Sequence, residues 1–205
     1  MNQKTRTRTA LLQAAAELVG EGRQPSIPEA ADRALVSVAT AYRYFSSAED
    51  LWWEASLGAI ERTMTEAEQG VEAAGSDPQI RLETLIRSVE FQMLDDQVPY
   101  RRVALIAQEQ WFRQADTPQS ERVPIRQGRR NAQIRHAIAP LDGQVPKKDL
   151  DRIAHALALI IGSEAMISLT DAVGLDVPTA EETLLDAGRW ILDGALAELT
   201  DGPAR

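Results

Sequence analysis

The stretch from Ser26 to Phe45 constrains this 205-residue chain more than any other. Ser26 is a good helix N-cap, and Glu29 three residues later completes a capping box, with Pro28 in the first turn where its missing N–H costs little. Ser37 then offers a second cap for a short helix running to about Phe45. Two helices this short, joined by a tight turn, bury too little surface to stand alone. The layout is that of a helix-turn-helix, whose second helix enters the DNA major groove.

The remainder reads as helix throughout, so the expected class is all-α. Residues 1–47 would form an N-terminal three-helix helix-turn-helix domain, and 48–205 a larger helical domain for effector binding and dimerisation. Leu11, Ala15, Leu18 and Val19 give the stripe of a first helix that ends near Gly20 and Gly22. Ser47 or a nearby polar group can cap a long fourth helix with a stripe of Trp53, Leu57, Ile60 and Met64. Further helices are expected over 78–94, from Pro99 to about Trp111, from Val123 to Ala139, over 148–172 and over 179–199. The last opens on a capping box of Thr179 and Glu182.

Composition narrows the chemistry. Cysteine is absent, which excludes disulfides, thiolate nucleophiles and cysteine-based zinc sites. The two histidines, His136 and His155, have no paired carboxylates at ligand spacing, so neither a metal nor a cofactor is expected. No nucleophile–base pair or glycine phosphate loop points to an enzyme. No apolar run reaches membrane-spanning length and no hydrophobic leader opens the sequence, so a cytoplasmic protein without membrane contact is expected. The net charge of −9 is unevenly spread. Residues 1–45 hold six basic against four acidic side chains, a balance of +2, which leaves −11 for the rest. A mildly basic head on an acidic body can still be presented to DNA.

Residues 8–51 resemble the DNA-binding domain of the tetracycline-repressor (TetR) family. The likeness rests on Arg8 with the Leu11/Ala15/Leu18 stripe, Ile27, Ala30 and Ala31 of the second helix, Val36-Ser37 of the turn, and Leu51. Its most specific part is the string Ala39-Thr-Ala-Tyr-Arg-Tyr-Phe45. Two positions depart from the family: Leu35 stands where glycine is usual in the turn, suggesting a turn of different shape, and Ala48 replaces a phosphate-binding lysine.

The expected DNA-binding residues are Ser26, Pro28, Ser37, Val38, Ala39, Thr40, Tyr42, Arg43 and Tyr44. Thr40, Tyr42 and Tyr44 can donate to phosphate oxygens without adding charge. Val38 and Ala39 suit thymine methyls, and Arg43 is the long polar candidate for guanine. The resemblance places Ser26 and Pro28 near DNA and carries Tyr42 and Tyr44. Lys4, Arg6 and Arg8 are expected as a flexible arm. Phe45 is expected in the core.

A single reading head makes few contacts, so a homodimer on a pseudo-palindromic operator is expected. Residues 148–172 and 179–199 would form its interface, with Ala154, Ala158 and Gly162 as a small-residue stripe. The resemblance implies the same dimer and a small-molecule effector among the middle helices. Phe91, Met93, Trp111, Phe112, Met64 and Met166 are the candidate ligand-binding residues. Arg122, Arg126, Arg129, Arg130 and Arg135 read as a solvated helix face, with an anionic effector site as the alternative. The functional expectation is a transcriptional repressor released by its effector. The alternative is a helical dimeric binding or scaffold protein with a degenerate reading head.

Overall fold

The computed structural model describes residues 3–21, 23, 25–122 and 129–201. Among the described residues eleven α-helices follow one another: α1 Gln3–Gly20, α2 Ile27–Arg33, α3 Val38–Tyr42, α4 Ala48–Ala73, α5 Pro78–Ile86, α6 Gln92–Asp95, α7 Gln97–Arg113, α8 Arg129–Ala137, α9 Lys147–Leu157, α10 Ser163–Ile167 and α11 Val177–Asp201. π-helical turns at Arg87–Phe91 and Ser168–Val173 interrupt the later helices. The expected all-helical class is observed. No described helix is long and apolar enough to cross a membrane.

The contacts gather into two units, Met1–Arg62 and Thr63–Arg205, dividing within α4. The expected boundary at 47/48 lies at the start of that helix. In the first unit, Leu11, Ala15 and Leu18 of α1 pack with Ile27, Ala30 and Ala31 of α2, Ala41 of α3, and Phe45, Leu51 and Ala55. Half of this set is alanine, which lets the helices cross closely.

The second unit is built around α5, α8, α9 and α11, with Leu82, Leu85, Ile86, Ile134, Leu157, Met166 and Leu192 buried. Its polar anchor is Arg81, 6% exposed. Arg81 donates to the carbonyls of Ala137 (3.1 Å), His136 (2.8 Å) and Gly75 (3.0 Å). The first two close the C-terminal end of α8, where orphan carbonyls want a cation. Gly188 lets α11 approach α5, since a Cβ there would lie 2.6 Å from Cδ1 of Ile86.

Several expectations are corrected. The buried stripe of α4 is Leu51, Trp52, Ala55 and Ser56 and then Thr63, Ala67 and Val71; Leu57 is exposed. The run 148–172 is not one helix. It breaks after Leu157, turns through 158–162 and resumes at Ser163, because Gly162 holds φ +126°, a backbone that favours glycine. The Ala154, Ala158, Gly162 stripe therefore does not run along one helix. Asp176, not Thr179, caps α11, accepting the Thr179 N–H at 2.9 Å. Lys4, Arg6 and Arg8 lie within α1 and form no separate arm. The start of the helix expected at 123–139, with Arg126, falls outside the described residues.

Candidate nucleic-acid interface

Local chemistry fixes the two short helices. Ser26 accepts the Glu29 N–H through Oγ (3.3 Å), and the Glu29 carboxylate accepts the Ser26 N–H (2.9 Å) and hydroxyl (2.6 Å). Those Ser26 bonds hold the Glu29 carboxyl below its ordinary range. Both arms of the capping box are thus made. Ser37 caps α3 by accepting the Thr40 N–H at 3.2 Å, and the two hydroxyls lie 2.8 Å apart. Ser47 caps α4 by accepting the Asp50 N–H at 3.0 Å.

The turn keeps the usual shape despite Leu35. This residue takes φ +55° and is 93% exposed. The Leu35 N–H donates to Asp32 O (3.1 Å) and the Val36 N–H to Ala31 O (2.9 Å). That pair is a Schellman motif with leucine in the glycine position, and Val36 packs against the core as the motif's apolar contact. The changed turn expected from the missing glycine is overturned: the leucine adopts the left-handed backbone itself.

α3 is poorly buried. Ala41 is fully buried and Phe45, just beyond the helix, is 2% exposed, as expected of a core aromatic. Val38 is 42% and Tyr42 54% exposed, and Ser37, Ala39 and Arg43 also face solvent. Thr40 and Tyr44 are half-buried, Tyr44 resting on the core. Pro28 is exposed and Ser26 half-buried. The helix stops at Tyr42 with Arg43 as its C-cap, three residues short of expectation.

Most cations of this unit are engaged. Arg8 pairs with Glu54 and its guanidinium lies 5.5 Å from the centre of the Phe45 ring. Arg23 pairs with Glu29, and Arg33 with Glu21. Arg6 and Arg43 have no ion-pair partner among the described residues. Sequence reading missed these pairs, because Arg8–Glu54 joins α1 to α4 and Arg33–Glu21 joins α2 to the turn after α1.

The six candidate ligand residues scatter within the second unit. Phe91 lines an open hollow of about 440 Å³ with Thr63, Glu66, Arg87, Ser88, Gln92, Asp95 and Asp96. Met93 and Met166 are 5% and 0% exposed, and Met64 is half-buried. Trp111 and Phe112 are exposed and meet edge to face at 5.3 Å. The arginine cluster is dispersed: Arg122 donates to loop carbonyls of Thr117 and Ala115, Arg130 pairs with Glu164, and Arg135 with Asp151. His136 reaches Glu72 at 3.2 Å, and His155 is exposed.

No family model and no curated protein matches the sequence. Solved structures do match the fold. A Mesorhizobium loti protein assigned to the TetR family of transcriptional regulators aligns over 94% of this chain and 98% of its own, with 16% identity and a TM-score of 0.66. The chain has the TetR-family regulator fold. A transcriptional regulator of Rhodococcus sp. Rha1 aligns over 94% of this chain and 97% of its own at 23% identity, but a TM-score of 0.49 is too loose to build on. At such identities the TetR likeness speaks for backbone topology alone.

Proposed function

We propose that this protein is a homodimeric DNA-binding transcriptional repressor released by a small-molecule effector. The observation that carries the reading is α3. It is capped at Ser37 and anchored by Ala41 and Phe45, yet it turns Val38, Ala39, Tyr42 and Arg43 to solvent. A monomer core has no use for a helix so sparsely buried. A helix held at its base with its outer face bare is what the major groove requires. The Tyr42 and Tyr44 hydroxyls have no partner among the described residues and would donate to phosphates, fixing register. Ser37, Thr40, Ser26 and Pro28 would lie along the same backbone path. Val38 and Ala39 would meet thymine methyls, and Arg43 a guanine.

The dimer would use the surfaces of 148–172 and 179–199. The second unit leaves Leu159 78% and Trp190 64% exposed, and Gly194 and Ala197 continue the Trp190 face of α11 at i+4 and i+7. The effector would enter near Phe91, in the hollow beside Arg87 and Asp96. It relieves repression only by binding the DNA-free form more tightly.

Selection of a bound site from a random DNA pool tests the reading. The expected product is an inverted repeat with half-sites about one helical turn apart. With Arg6 and Arg43 as the uncommitted cations of each head, the slope of log K against log salt is expected near −4, about −0.9 for each of four phosphates. Recovery of no sequence, or binding only below 50 mM salt, would favour the scaffold alternative.

A further inference from the structure

The π-helical turn Arg87–Phe91 carries Glu90, which is fully buried. Its Oε1 accepts the Gly162 N–H at 2.7 Å, a contact across 72 residues. Its Oε2 is buried with no hydrogen-bond partner among the described residues. Gly162 ends the non-helical corner between α9 and α10, and its φ of +126° favours glycine. A Cβ there would lie 2.2 Å from the Arg130 guanidinium. Arg130 spends its own bonds on Ala158 O (3.3 Å) and the Glu164 carboxylate (2.6 Å). One face of the corner is thus held by Glu90, and the other by an arginine side chain about a third exposed.

We propose that Glu90 makes the α9–α10 corner a proton-linked latch, closed while the carboxyl is neutral and loosened when it ionises. A fully buried carboxyl with one hydrogen bond among the described residues is costly to ionise. The cheapest way to solvate it is to move the nearest segment that no helix holds. That segment is 158–162, covered by a flexible side chain rather than packed backbone. π-helical turns of this kind often mark functional positions.

The surrounding charges leave burial in command. Arg130 of α8 favours the ionised form and Glu164 of α10 opposes it, while burial, the largest influence, lifts the carboxyl to about 7. Tyr100 of α7, bonded to Thr63, feels both Glu90 and Asp96, and burial raises it as well. Arg87, in the same turn, is taken by Glu83 at 2.7 Å. Asp186 of α11 is taken by Arg189 at 2.6 Å, and Asp95 of α6 faces solvent.

The test follows the Gly162 amide of the full-length protein by NMR from pH 5.5 to 8.5. Its shift should titrate with a midpoint near neutrality. Opening of 158–163, read by hydrogen exchange corrected for intrinsic rate, should rise about tenfold between pH 6 and pH 8. Both changes should vanish in Glu90→Gln. Should that variant fail to fold, Arg130→Gln must move the midpoint upward, since the guanidinium favours ionisation. A Gly162 shift constant over this range, a titration unchanged in Glu90→Gln, or a midpoint unmoved by Arg130→Gln overturns the latch. Each readout concerns the corner alone and is independent of DNA binding.

Discussion

The two units hold their charges in opposite ways. In the first, the ion pairs Arg8–Glu54, Arg23–Glu29 and Arg33–Glu21 lie at the surface, each side chain a third or more exposed. Its core cluster of Leu11, Ala15, Leu18, Ile27 and Phe45 is apolar, and its short helices depend on serine caps. In the second, an arginine and a glutamate go inside, and Arg81 and Glu90 bind backbone groups 55 to 72 residues away. The lesson concerns what each unit can tolerate. Surface pairs of this kind contribute roughly 0–1 kcal/mol, so the first unit can change its outer face freely. Buried polar groups make the second unit breakable at single positions and sensitive to pH.

The largest expected effect breaks the second unit at Arg81. Arg81→Leu strands three carbonyls at the α5–α8 contact and should cost about 4 kcal/mol. Denaturant unfolding should show the loss. A cost below about 1 kcal/mol would mean that Arg81 is no anchor. The matching change in the first unit, Arg33→Leu, should leave the denaturation midpoint almost unmoved, and equal costs would erase the contrast between the units.

Glu90 sharpens the same contrast through pH. A carboxyl lifted to about 7 in the folded chain binds its proton more tightly there than in the unfolded chain, where 4.5 is ordinary. Its contribution is therefore complete below about pH 4.5 and is lost as pH rises through 7. Between pH 5 and pH 8 the second unit should lose about 2.5 kcal/mol. Carboxyls held low act oppositely and only at lower pH: bonding to Arg101 draws Asp171 down to about 2. Stability should peak near pH 5 and become flat above it in Glu90→Gln. A melting temperature that climbs from pH 5 to 8 would overturn the assignment.

In the first unit the informative loss is of binding, not of stability. Tyr42 is 54% exposed and its hydroxyl has no partner among the described residues, so Tyr42→Phe should leave the melting temperature unchanged. It should weaken operator binding by about 1 kcal/mol per half-site, roughly 30-fold for a dimer, uniformly across operator sequences. Unchanged affinity in a gel shift would remove Tyr42 from the interface. Loss on some sequences only would make it a base reader instead.

The legible parts of the fold were the local ones. The Ser26–Glu29 box, the Ser37 and Ser47 caps, and the Leu11/Ala15/Leu18 stripe all lie within a few residues of what they bind, so spacing alone exposes them. The α9–α10 corner was not legible. Leu157 to Ile161 read as an apolar helical run, and a helix tolerates one glycine; the positive φ of Gly162, whose N–H is taken by a carboxylate 72 residues away, leaves no local signature. The stripe of α4 was misplaced for a related reason. That helix serves two cores, at Leu51–Ser56 and at Thr63–Val71, and one apolar stripe cannot describe both. The proposed DNA face rests on residues named from the sequence; its free charge was not legible there, because the pairs that take up Arg8 and Arg33 form only in the tertiary fold.

The smallest effect tests the turn that joins α2 to α3. Leu35 holds a left-handed backbone at a cost of roughly 1–2 kcal/mol, while its side chain, 93% exposed, contributes almost no packing. Leu35→Gly removes that strain but adds freedom to the unfolded chain, which offsets about 0.5–1 kcal/mol. The net expectation is a first unit more stable by about 0.5–1 kcal/mol, with the Schellman bonds to Asp32 and Ala31 kept. Operator affinity should hold steady, because the substitution touches neither the Ser37 cap nor the outward face of α3. If stability rises and affinity falls, the leucine itself touches DNA or a partner, which would explain why an exposed apolar side chain sits where glycine fits better.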